Sequence, residues 1–87
     1  MSENLEPVTM RAKMKVVSVL QTEFGETLKL TAVCKSDSYP PDGNDEDNTF
    51  ARFSPMADMT IQVANPSLWG KFKPKQKFYL DFTEASK

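Results

Sequence analysis

The chain has 87 residues, with 39% hydrophobic and 26% charged residues and a net charge of −1 from 11 basic and 12 acidic side chains. That is the composition of one small globular domain, with a thin core and no deep substrate cavity, because a chain this short buries only about 60–65% of its unfolded surface. The charge balance excludes a globally basic nucleic-acid binder and an acidic DNA mimic. The absence of histidine removes His-based triads, His general bases and the commonest metal ligand. No apolar run reaches the roughly 18 residues of a membrane span, and the polar, acidic start MSENLEPV resembles neither a signal nor a transit peptide. A single cysteine, Cys34, rules out an internal disulfide framework and fits a reducing compartment. These subtractions predict a protein that is not an enzyme and needs no cofactor.

In chain order, residues 1–8 read as a polar arm ending near Pro7. From Thr9 to Leu20 the sequence TMRAKMKVVSVL alternates. Met10, Ala12, Met14 and Val16 fall on one face and Arg11, Lys13, Lys15 and Val17 on the other, which is the period of a strand. The alternation slips at Val16–Val19, where a β-bulge or burial on both faces is expected. Gln21–Glu26, with Gly25, reads as a hairpin turn that uses glycine at positive φ. In Thr27–Cys34, residues Leu28, Leu30, Ala32 and Cys34 share an apolar face, so a second, antiparallel strand is predicted with Cys34 packed as a small hydrophobe.

Residues 35–48, KSDSYPPDGNDEDN, break the pattern and read as an exposed, mobile acidic loop. Thr49–Pro55 is expected to begin a second β region. Asp58–Ala64 alternates, with Met59, Ile61 and Val63 on one face. Asn65-Pro66 is a helix-start signal, N-cap followed by first-turn proline, for one or two turns ended by Gly70. Lys73–Gln76 is a turn, and Lys77–Thr83 the last strand, with Phe78, Leu80 and Phe82 inward and Tyr79 and Asp81 outward. The final residues, 85–87, read as a tail.

The predicted fold is all-β: a small curved antiparallel sheet or partly open barrel of five to six strands, with one short helix before the last strand. Residues 9–84 form its single domain. Closure would protect the strand edges.

Two candidate sites follow from these residues. The first is a lysine–aromatic face: Arg11, Lys13 and Lys15 on one strand, with Trp69, Lys71, Phe72, Lys73, Lys75, Lys77 and Tyr79 around the last turn and strand. Lysines that neutralise phosphates beside rings that stack on bases are the chemistry of single-strand binding. The plainer reading, a solvated edge strand with Trp69 and Phe72 capping the barrel's open end, is preferred, since net positive charge is missing. The second is a contact loop of Tyr39, Asp42, Asp45, Glu46 and Asp47. Asp42, Asn44 and Glu46 occupy positions 1, 3 and 5 of a calcium-loop pattern. The pattern then fails, with Asp47 where glycine belongs and Phe53 where the bidentate glutamate belongs, so a solvated loop without a metal is expected. Met10, Met14, Met56 and Met59 are expected to pack the core.

Three stretches resemble a family of small proteins encoded by tailed bacteriophages: the strand opening MRAKMKVVSV, the segment TFARFSP after an acidic loop, and the ending NPSLWGKFKPKQKFYLDFTEA. In that family the turn before the last strand is usually Lys-Pro-Gly, and here Lys75 replaces the glycine. The resemblance covers most of the chain and carries no catalytic residue. It implies a phage protein located in the bacterial host cytoplasm or incorporated in the virion. The expected function is non-catalytic protein–protein contact by a small virion accessory or decoration protein. The alternatives are an inhibitor of a host or defence protein and a single-stranded nucleic-acid-binding module.

Overall fold

The computed structural model describes residues 7–35 and 38–86. The arm expected over residues 1–8 therefore lies outside the described residues up to position 6. Four strands form one antiparallel sheet: β1 (Val8–Thr22), β2 (Gly25–Ala32), β3 (Asp58–Val63) and β4 (Lys77–Thr83), in the spatial order β3-β2-β1-β4. This is a Greek-key arrangement, in which the fourth strand returns by a long connection to lie beside the first.

The strand period explains the pairing. Val16 lies opposite Leu30 and Met14 opposite Phe78, so the apolar sets of neighbouring strands fall on one side. Ala12, Met14, Val16, Leu28, Leu30 and Val63 are the buried apolar residues. The register of β1 against β2 shifts between Val16 and Ser18, leaving Val17 unpaired. The bulge expected at this slip is present, and it keeps Val19 on the core side with Leu28. The β1–β2 hairpin closes from Thr22 to Gly25. Gly25 has φ of 135°, and a Cβ there would lie 2.3 Å from the Val63 carbonyl oxygen, so glycine is required by both conformation and contact.

Several expectations need correction. The strand count is four, not five or six, because residues 49–55 run as bends and turns among the described residues. Phe53 takes φ of 60°, which no strand tolerates. The sheet does not close into a barrel: β3 and β4 each have one neighbour and remain edges. The helical segment is a single 3₁₀ turn, Pro66–Leu68, rather than one or two helical turns. Asn65 does cap it, accepting from the Ser67 backbone N–H at 3.1 Å. Finally, β2 ends at Ala32, so Cys34 lies beyond the strand and is exposed instead of packed. No helix among the described residues is long and apolar enough to cross a membrane.

The long β2–β3 connection is anchored, contrary to the expectation of a mobile loop. Where β2 ends, β1 continues for several residues with an unfilled lane beside it. Asn48 and Thr49 occupy that lane. The Lys13 backbone N–H donates to the Asn48 side-chain oxygen at 2.8 Å, and the Asn48 amide donates to the Val33 carbonyl at 2.8 Å. Arg11 N–H donates to Thr49 Oγ1, and Thr49 N–H donates to the Arg11 carbonyl. A side chain and a short backbone stretch thus continue the ladder, satisfying groups that the missing strand would have paired.

Candidate functional site

The ten residues of the lysine–aromatic set do not share one surface. Strand alternation places Arg11, Lys13, Lys15, Lys77 and Tyr79 on the polar side of the sheet, with Lys13 opposite Tyr79 and Lys15 opposite Lys77. Phe72 lies on the other side, packed against the core and 5.5 Å from the Phe78 ring. Trp69 donates its indole N–H to the Val63 carbonyl at 2.8 Å, while Lys71, Lys73 and Lys75 are exposed around the turn.

On the polar side, the basic stripe meets the acidic loop. Arg11 makes a two-pronged contact with Asp81, at 2.6 and 2.9 Å, and its guanidinium lies 4.4 Å from the centre of the Tyr79 ring. The Tyr79 hydroxyl donates to Asp47 at 2.9 Å, and Lys13 Nζ lies 3.4 Å from the other Asp47 oxygen. These contacts move the titrations. The hydrogen bond from Tyr79, then the Lys13 ammonium, holds the Asp47 carboxyl below its ordinary value. The same Tyr79–Asp47 bond raises the Tyr79 phenol, and the Arg11 hydrogen bond lowers Asp81. Each of the two sets picked out in the sequence thus supplies partners for the other. Arg11 and Lys13 are engaged within the molecule, and one face of the Tyr79 ring is taken by a guanidinium.

Most of the remaining loop residues are also held by contacts within the loop. Asp42 accepts from the Asn44 backbone and side-chain amides at 3.0 and 2.9 Å. Asp45, 5% exposed, accepts from the Asp47 N–H and the Asn48 amide. Tyr39 packs its ring 5.7 Å from Phe53 and accepts from the Lys35 N–H. Glu46 stays exposed, 4.0 Å from Lys35. Asp42 and Asp45 thus serve as Asx-type turn acceptors. No cluster of three metal-ligating side chains occurs among the described residues.

The opposite side of the sheet is chemically different. Two apolar recesses of about 290 Å³ each lie along it. One is lined by Met10, Ala12, Phe50 and Phe82, the other by Ile61, Leu68, Phe72 and Phe78, and Met59 and Leu80 border both. Together they form a trough between the two edge strands. Among the described residues, its only charged lining residue is Asp58. Ile61 is 45% and Phe82 50% exposed, although both lie on the core side. The sequence marks these residues as inward-facing, and they are. What the alternation could not reveal is that no second layer covers them.

One polar group is built into this side. Glu26 is 5% exposed and accepts from the Gly70 N–H at 3.0 Å, which pins the 3₁₀ segment across the end of the sheet. Its other oxygen has no hydrogen-bond partner among the described residues.

No protein-family model, curated protein or solved structure matches this chain.

Proposed function

We propose that this chain acts by protein–protein contact without catalysis, as a small accessory or decoration protein of a phage particle, and that this contact depends on the apolar trough. The observation that carries this reading is the trough itself: a continuous apolar surface with large side chains left half-exposed and almost no charge. Contiguous apolar surfaces of this kind mark interaction sites, because leaving them in water is costly. The phage context is contributed by the resemblance of the strand and turn segments. An inhibitor of a host protein would use the same surface with a different partner. Single-strand binding has less support, because Arg11, Lys13 and Tyr79 already have partners within the chain.

The test is association with particles of the encoding phage. The chain is expected to sediment with purified particles, and Ile61→Lys in the trough is expected to release it, while Leu20→Lys on the polar side is not. Sedimentation that is indifferent to Ile61→Lys, or salt-sensitive binding to a single-stranded oligonucleotide, would count against the reading.

A further inference from the structure

We infer that the occupant of the trough is a second copy of this chain, so that two sheets pack trough to trough into a two-layer dimer. The inference rests on the trough being the contact surface, and it names the partner.

A sheet with one apolar face needs a second layer, and among the described residues only a few cover it, chiefly Phe50 and Phe72. The molecule measures 47 × 36 × 16 Å, a slab. A second sheet packed at about 10 Å would complete a sandwich.

The chain exposes 6572 Å², whereas a globular monomer of 9.8 kDa exposes about 5,200 Å². The excess is about 1,400 Å² by that scaling. A stable interface takes about 800 Å² from each partner, which is less than that excess.

An isologous two-fold interface sets each patch against itself, so a charged patch repels its copy while an apolar one matches it. The trough has no basic residue and a single acidic one, at its rim, and the net charge of −1 adds little repulsion between copies. It also offers almost no polar feature by which to select a foreign protein. A two-fold axis across the trough would bring Phe82, beside one recess, to the recess beside Ile61 of the other copy, and the reciprocal contact follows from the symmetry. The dimer leaves both polar faces and the β3 and β4 edges directed outward.

Sedimentation equilibrium of the full chain at about 10 µM is expected to give twice the chain mass of 9.8 kDa. Ile61→Lys and Phe82→Lys are each expected to weaken the dimer roughly 30-fold or more with an unchanged far-UV spectrum, whereas Leu20→Lys leaves it intact. If the lysine variants lose the β signal, a photo-crosslinking residue at position 61 is the second readout, with an adduct of twice the chain mass expected. A monomeric wild type, or a dimer that both lysine variants leave untouched, overturns the inference. The contact reading is judged separately by the particle assay: a monomer released from particles by Ile61→Lys keeps that reading and requires a different partner, while an indifferent monomer removes both.

Discussion

Asn48 is only 1% exposed and makes three hydrogen bonds, to Lys13, Val33 and Asp45. Truncating it strands a backbone donor on β1 and a carbonyl after β2. Asn48→Ala is therefore expected to cost about 2–3 kcal/mol, read as a lower urea midpoint with an unchanged m-value. A loss below about 0.5 kcal/mol would mean that water replaces the amide. Lys75 presents the opposite case. It sits at the third position of the Lys73–Gln76 turn with φ of 81°, the left-handed conformation, and the Gln76 N–H donates back to the Lys73 carbonyl. This is the geometry of a type II turn, which favours glycine after proline. Lys75→Gly is expected to stabilise the fold by about 0.5–1 kcal/mol, the relief of left-handed strain less glycine's extra chain entropy. A destabilised variant would show that the Lys75 side chain contributes more than its backbone strain costs.

At the scale of elements, the docking of the acidic loop on β1 and β4 has a pH window whose signs follow from its two titrating groups. Asp47 is lowered from 3.8, so the stability its bonds supply is full above that value and is lost as pH falls through the depressed folded value. Tyr79 is raised from 10.0, so its share is full below that value and is lost as pH rises through the higher folded one. The loop is expected to stay docked between these limits and to loosen outside them, seen as faster exchange of the Lys13 amide proton. Tyr79→Phe is expected to remove the alkaline limit, and an alkaline transition that persists in Tyr79→Phe would assign it to another group. The sequence could not show this coupling, because Asp47 lies 34 positions from Lys13 and 32 from Tyr79. The strands were legible because one face of each is buried, which forces alternation into the residues themselves. Residues 49–55 were misread for a related reason. Phe50 and Phe53 look like strand residues, yet Phe50 packs on the core from a turn and Phe53 packs over Gly43, where a Cβ would lie 2.4 Å from its ring. Apolar character revealed that Phe50 is covered, not which backbone carries it, and Phe53 stays half-exposed. Cys34 shows the same limit, since its alternation continues in the sequence after the chain has left the sheet at Ala32.

At the scale of the whole molecule, six apolar side chains are buried among the described residues, while eleven large hydrophobic ones are exposed, including Ile61, Leu68 and Phe82 around the trough. In the dimer inferred above, closing the trough is coupled to folding. Linkage then makes thermal stability depend on protein concentration, because association draws on the folded form alone. For two chains of this length unfolding together, each tenfold rise in concentration is expected to raise the midpoint by about 3–4 °C. Calorimetry across about two decades of concentration resolves that slope. Ile61→Lys should flatten it and lower the midpoint most at the concentrated end, whereas Leu20→Lys should leave it intact. A wild-type midpoint independent of concentration would mean that the single sheet is stable alone. The exposed trough would then be a surface the protein maintains without self-association, open to a different protein.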